Sequence, residues 1–273
     1  MILAGGSGKR LQSLTRRMFG EGRPKQFCKL FGDRTLLGHT QARIASVIPP
    51  EQTMYAVVKA HAPYYRQELK DVAPSRVLEQ PVDRGTTAAI AHSLARIAEI
   101  DNDAITGFFP ADHHFTDEAA FTSAVDRAFG LVHSCVGKIL LLGAQPDRPE
   151  VEYGWIEPGA QIHGARDSVF RVNRFWEKPS LEVARRLLDR GCLWNTFVMI
   201  GRARTFLEML REALPTGDFS KQVLSALPDR LAVLRLDNVG WSDLGTPERV
   251  MAAVGGRVGN QAAQFQTTPL TAA

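Results

Sequence analysis

ILAGGSGKRL, residues Ile2 to Leu11, sets three glycines, a serine, a lysine and an arginine directly behind a short apolar run. Such a stretch handles phosphate, and the question is which loop it forms. A Walker loop, G-x-x-x-x-G-K-[ST], needs glycine where the frame puts Leu3 and a hydroxyl residue where Arg10 stands. A dinucleotide fingerprint, G-x-G-x-x-G, fits Gly6 and Gly8 but demands glycine or alanine at Leu11. Both patterns fail. What they share survives: glycines after a strand let backbone N–H groups close on an anion, and a cation behind them completes the cradle.

Composition is that of an ordinary globular chain. Its 273 residues, 44% hydrophobic and 23% charged, can bury one substantial core. No apolar run is long enough to span a bilayer, and no basic segment followed by an apolar one opens the chain. Neither a membrane helix nor a signal peptide is expected, and the expected compartment is the cytoplasm. Cys28, Cys135 and Cys192 are far apart and form no C-x-x-C pair, so they are expected as core or surface thiols.

A net charge of +4 does not argue for nucleic acid, but its distribution is uneven. Lys9, Arg10, Arg16, Arg17, Arg23, Lys25, Lys29 and Arg34 crowd the first 34 residues, against Glu21 and Asp33. The glycine loop inside this cluster points to a polyphosphate. A nucleic-acid groove would want interleaved exposed aromatics, and only Phe19, Phe27 and Phe31 are there.

Outward from the loop, short apolar runs alternate with helical periodicity. Strands are predicted at MYAVV (54–58), RVLEQ (76–80), AITGFF (104–109) and KILLLGA (138–144). Thr86 or Thr87 is expected to cap a helix striped by Ile90, Leu94 and Ile97, and Thr116 another carrying Phe121, Val125, Ala128 and Val132. Further strands are SVFRVNRFWEKP, TFVMIG and LAVLRL; Ser180 opens a helix to about Arg190, and Thr246-Pro247 starts one running to about Val254. The alternation predicts an α/β fold with a largely parallel sheet covered on both faces, its ligands at the carboxyl ends of the strands. Residues 1–255 are expected as a single domain and 256–273 as a loose tail.

Each predicted strand end carries something polar. ITGFF runs into Pro110-Ala111-Asp112-His113-His114, and LDNVGW into Ser242-Asp243. One such aspartate is an ordinary turn former or helix cap. Two of them beside a phosphate loop point to magnesium, which pairs hard oxygen ligands with bound phosphates. His113 and His114 are expected as packed or solvent-facing imidazoles, since no further His or Cys stands at metal-ligand spacing. RPKQF places Lys25 behind a proline, and FWEKP places Glu177 and Lys178 at a strand end, pointing the same way if the strand bulges. YGWIEPG reads as a turn at Gly154, or as an aromatic wall for a sugar ring.

In order, LAGGSGKRL, RPKQF, EQPVDRGTTAAI, PADHHF, EYGWIEPG, FWEKPS, LWNTFVMIGR and VGWSDLGT resemble the sugar-1-phosphate nucleotidyltransferases, most closely the bacterial mannose-1-phosphate guanylyltransferases. The resemblance runs from Ile2 to about Val254. It implies a Rossmann-like nucleotidyltransferase fold, with a mixed, mostly parallel central sheet and helices on both faces. The implied reaction joins a nucleoside triphosphate to a hexose 1-phosphate with magnesium, giving a nucleotide sugar and pyrophosphate. GTP and mannose 1-phosphate are the favoured pair. UTP or dTTP with glucose 1-phosphate is the alternative, and a catalytically silent paralogue that binds sugar nucleotide is the rival from another class. No nucleic acid or membrane partner is implied, and a homodimer stays open.

The resemblance also distributes roles. Arg10, Lys25, Asp112, Lys178 and Asp243 would be catalytic, with Asp112 and Asp243 holding magnesium. Leu3, Ala4, Gly5, Gly6, Ser7, Gly8 and Lys9, with Gln80, Pro81, Arg84 and Thr86, would face the nucleotide. Gly154, Glu177 and Asn195 would bind sugar hydroxyls, and Lys178 the sugar phosphate. The chain departs from the family pattern in places: Lys9 stands where threonine is common, Gln12-Ser13 replace tryptophan-proline, and W-N-S-G-M-F becomes Trp194-Asn195-Thr196-Phe197-Val198. Relatives also carry several residues before the first strand, so the native start is expected upstream of Met1.

Overall fold

In the computed structural model, which describes residues 1–162 and 169–258, the glycine stretch leaves a two-residue strand, β1 (Ile2–Leu3). It is flanked in parallel by β2 (Tyr55–Val58) and β4 (Ile105–Pro110), with Ile2 opposite Tyr55 on one side and Phe109 on the other. β3 (Val77–Gln80) extends the parallel array beyond β2. Past β4 the directions mix. β9 (Leu193–Arg202) runs antiparallel between β4 and β6 (Ile139–Ala144), and β10 (Leu231–Leu236) pairs in parallel with β6. β8 (Val169–Glu177) and β7 (Gly154–Gln161) complete a nine-stranded sheet of order β3-β2-β1-β4-β9-β6-β10-β8-β7. Only β8 and β9 run against the other strands of this sheet. The expected mixed, mostly parallel sheet is therefore present. A separate ladder joins β5 (His114–Phe115) to β11 (Trp241–Ser242).

Helices cover both faces because the central strands are apolar on both. Phe109 of β4 and Leu140 and Leu142 of β6 pack on one side, where α2 (Leu36–Ile44) and α5 (Glu118–Leu131) contribute Leu37, Ile44, Phe121 and Val125. Phe108, Ile139 and Leu141 turn to the other side, under Ile90 and Leu94 of α4 (Gly85–Ile100) and Phe206 and Met209 of α7 (Ala203–Ala213). That alternation is the pleat, and it explains why these strands read as unbroken apolar runs. A third cluster joins Leu14 of α1 (Gln12–Phe19) to Phe31, Leu244 and Val250, seating α8 (Pro247–Val258) on the N-terminal segment. α3 (Ala62–Glu68) and α6 (Leu181–Asp189) complete the α-helices among the described residues, α6 opening on the expected Ser180 cap.

Several local expectations are corrected. Neither Thr86 nor Thr87 caps α4: both lie inside its first turn, and the Asp83 carboxylate accepts the Gly85 N–H at 2.9 Å instead. Thr116 does not cap α5 either. Its hydroxyl turns to the Gly240 carbonyl, and Asp117, one residue on, accepts the Ala120 N–H at 2.8 Å. α8 passes Gly255 and continues to Val258, into the stretch expected to be tail, because glycine lowers helix propensity by only about 1 kcal/mol. Residues 259–273 lie outside the described residues. All three cysteines are buried free thiols.

The Asp117 cap is worth about 1 kcal/mol. Asp117→Ala should lower the urea midpoint accordingly, and an unchanged midpoint would remove the cap assignment.

Candidate active site

The glycine loop is shaped from beneath. A Cβ at Gly8 would meet the Lys25 backbone nitrogen at 3.3 Å, and its φ of +59° favours glycine in any case. Gln26, buried, donates its carboxamide N–H groups to the carbonyls of Ala4 at 2.9 Å and Gly6 at 2.8 Å. Those two bonds fix the turn on which any bound phosphate would sit.

Lys25 is the neighbour of Gln26 and almost as buried. Its ammonium lies 3.2 Å from Asp112 Oδ2, at the carboxyl end of β4, and donates to the Asp243 carbonyl just after β11. One cation therefore ties together the two isolated aspartates. Asp243 presents two different oxygens. Its Oδ1 accepts from the Gly245 N–H at 2.7 Å, Arg249 at 2.9 Å and the Tyr153 hydroxyl at 3.2 Å. Its Oδ2 lies 3.9 Å from Arg10, whose guanidinium also pairs with Glu152 at 2.9 Å. Burial pushes the Asp243 carboxyl up, but Lys25, His113 and Arg249 together outweigh it and hold the pKa below its ordinary value. Burial beside Asp243 also pushes the Tyr153 phenol up to about 12, so it stays a donor.

His113 packs inside the site. Its Nδ1 meets the Thr196 carbonyl at 3.1 Å, and Nε2 lies 3.8 Å from Asp112. Burial pushes its pKa down, favouring the neutral ring. His114 stacks on Phe31, with centroids 4.4 Å apart.

A cavity of about 370 Å³ opens beside this cluster. Among the expected nucleotide contacts, Leu3, Gly5, Gly6, Ser7, Gln80 and Thr86 line it, as does Asp112. Ala4, Gly8, Lys9, Pro81 and Arg84 do not. A larger cavity of about 670 Å³ lies at Met1, Met54, Ile97 and Phe129, near the other ends of the strands. It gathers none of the expected residues, and in open α/β sheets the carboxyl ends carry the ligand.

The expected acceptor residues sit on neighbouring strand ends. Gly154 pairs with Glu177 across β7 and β8, and Asn195 lies on β9, next to the Trp194 that pairs with Trp155 of β7. Gly154 is thus a strand residue and not a turn. A Cβ there would meet the Phe175 ring at 2.8 Å and Glu177 Oε2 at 3.1 Å, so glycine makes room for both side chains. The pairing is regular from Gly154–Glu177 to Glu157–Arg174, so no bulge aligns Glu177 with Lys178. A left-handed backbone at Lys178, φ +46°, turns its ammonium to within 3.8 Å of Glu177. Burial, then Asp218, raises the Glu177 pKa, and Lys178 partly offsets them.

The donor set suits magnesium rather than a closed metal cage. Among the described residues no three of His, Cys, Asp and Glu gather as ligands. Asp112 and Asp243, two hard carboxylates near the glycine loop, would suit a hydrated magnesium ion, which takes one or two carboxylates and completes its shell with water and substrate oxygens. Gln26 and Tyr153 lie within RPKQF and YGWIEPG, though the partners they bind were not legible, and Arg249 lies in none of the quoted motifs. Arg249 reaches Asp243 only because Thr246-Pro247 starts α8 against it, and no spacing pattern marks that contact.

The family model for nucleotidyl transferases matches residues 1–255. This chain belongs to the nucleotidyl transferase family. As a nucleotidyl transferase it is 33% identical over 257 residues to mannose-1-phosphate guanylyltransferase of Escherichia coli, covering 91% of this chain and 52% of that one. It is 34% identical over 223 residues to mannose-1-phosphate guanylyltransferase ManC of Salmonella typhimurium, covering 79% and 45%. The chain thus spans about half the length of these curated relatives. A crystal structure described as mannose-1-phosphate geranyltransferase from Thermus thermophilus matches with a TM-score of 0.79 at 29% identity, over 92% of this chain and 78% of that one. No described helix is long and apolar enough to cross a membrane.

Two outcomes test the geometry. Gln26→Leu strands the Ala4 and Gly6 carbonyls and should lower unfolding free energy by about 2 kcal/mol in urea; wild-type stability would show that the loop does not depend on it. Glu177 should titrate above its ordinary value of 4.5 by NMR, and Asp218→Asn should bring it down. Since the folded pKa lies above the unfolded one, ionising Glu177 opposes folding as pH rises through that interval, and Asp218→Asn should reduce the loss. An unmoved titration would remove Asp218 as a cause.

Proposed function

We propose that this nucleotidyl transferase moves GMP from GTP to mannose 1-phosphate, giving GDP-mannose and pyrophosphate, with magnesium as cofactor. The observation that carries the reading is Lys25, which holds Asp112 and Asp243 together beside a glycine loop. The guanylyl and mannose halves rest on the likeness to the two enterobacterial relatives named for that reaction.

The chemistry asks little of the chain in proton transfer. A phosphate monoester has a second pKa near about 6, so the acceptor is mostly dianionic at neutral pH and attacks without a base. An acceptor oxygen bonds to the α-phosphorus of the triphosphate as the bond to the leaving pyrophosphate breaks. Backbone N–H groups of Gly5 to Gly8, with Arg10 and Lys25, would bind the negative charge, and Lys178 with Glu177, Gly154 and Asn195 would orient the acceptor. Asp112 and Asp243 Oδ2 would hold magnesium, which when bound supplies charge neutralisation at phosphate oxygens. With Asp243 Oδ1 taken by three donors, Oδ2 is the oxygen left for the metal. Soluble substrates are in keeping with a cytosolic enzyme.

Pyrophosphate release should appear with GTP and mannose 1-phosphate in magnesium, and weakly or not at all with UTP, dTTP, CTP or ATP, or with glucose 1-phosphate. Asp112→Asn and Asp243→Asn should each cut kcat by at least about a hundredfold, since metal clamping is worth several kcal/mol. Near-normal turnover in either variant would mean the metal ligands lie elsewhere. Silence in every combination, with nucleotide still bound, would favour a regulatory paralogue.

A further inference from the structure

Strand β9 leaves its ladder where it passes the cleft. Its pairing with β6 runs through Leu140–Ile200 and Leu141–Met199, then resumes at Gly143–Asn195, so β9 carries extra residues opposite Leu142. The excess is a built bulge. The Thr196 hydroxyl donates to the Leu142 carbonyl at 2.6 Å and accepts the Val198 N–H at 3.3 Å. Asn195 Oδ1 accepts the Phe197 N–H at 3.1 Å, and the Thr196 carbonyl meets His113.

At the apex stands Phe197, with φ +59°. That region penalises every Cβ and belongs to glycine, so a bulky residue persists there only when its surroundings over-determine it. Phe197 lines the same cavity as Gly6, Gln80, Thr86 and Asp112. Its ring meets the buried Phe219 edge to face, with centroids 6.1 Å apart at 71°. Phe219 is itself held near α4, where the Thr87 hydroxyl donates to the Gly217 carbonyl. The acceptor residues Asn195 and Glu177 do not line this cavity, so its occupant is the donor side of the reaction.

We propose that Phe197 is the apolar wall on which the nucleoside of the triphosphate stacks, an inference that rests on the nucleotidyl-transfer reading above. A phenyl ring has no hydrogen-bonding group, so it adds affinity for any base or ribose face and does not choose among bases. Base choice then falls to polar groups such as Gln80. The phosphates, gripped by the glycine loop, do not depend on the ring.

The test compares wild type, Phe197→Ala and Phe197→Gly by calorimetric titration with GTP, UTP and inorganic tripolyphosphate in magnesium, together with thermal midpoints. Both variants should weaken GTP and UTP by about tenfold and leave tripolyphosphate within about twofold. Phe197→Gly should melt above Phe197→Ala, because only glycine is unstrained at this φ. Equal nucleoside loss in two variants of unequal stability ties the loss to the ring and not to the fold. Unchanged GTP affinity, an equal loss for tripolyphosphate, or a loss that follows the thermal midpoint would each overturn the assignment. Failure of the wild type to bind any nucleoside triphosphate would instead sink the nucleotidyl-transfer reading.

Discussion

The site depends on the placement of one buried ammonium. Lys25 pairs with the Asp112 carboxylate and, among the charges around Asp243, is the foremost in holding that carboxyl below its ordinary pKa against burial. Lys25 stands between the ends of β4 and β11, donating to the Asp243 main-chain carbonyl, and its position is itself over-determined. Pro24 sets the extended backbone before it, and Gln26 and Phe27 are buried on either side of the loop and the core. Moving the lysine would therefore mean moving the glycine loop. Glycine loop and aspartate pair are one structural unit.

A second constraint is the reversed strand β9. β9 runs antiparallel between β4 and β6, so its first residues lie beside the carboxyl ends of both. Inserting β9 antiparallel places the Asn195–Phe197 bulge beside the end of β4, where the Thr196 carbonyl meets His113. Pairing of β9 with β7 then carries Gly154, and with it Glu177, to the same edge. One direction change thus sets the cavity lined by Phe197 and Asp112 next to the expected acceptor residues.

Much of this was legible in the chain. Unbroken apolar runs such as ILLLGA could be read as doubly covered strands because both faces of the sheet are buried. Asp112 and Asp243 stood out because each interrupts an apolar run at its end. Cap choice was not legible, since Thr116 and Asp117 are both good caps and tertiary contacts decide between them: Gly240 engages the threonine and leaves the aspartate to the helix. Gly154 read as a turn because its reason for being glycine, the space taken by Phe175 and Glu177, comes from a strand some twenty residues away. The contacts of Tyr153 and Arg249 with Asp243 were not legible for a related reason. Their role is to saturate one oxygen of Asp243, and nothing local in the sequence encodes which oxygen is taken.

The contact between Lys25 and Asp243 spans 218 positions of the chain, and Arg249 lies further along still. Closures of that length form late, after the entropy of the intervening loop has been overcome by other contacts. On the ribosome, the phosphate loop and Asp112 emerge well before their partners on β11 and α8. Until residues 243–249 have been made the nascent chain holds half of this charged cluster, and Lys25 must wait, with one aspartate beside it, until α8 arrives.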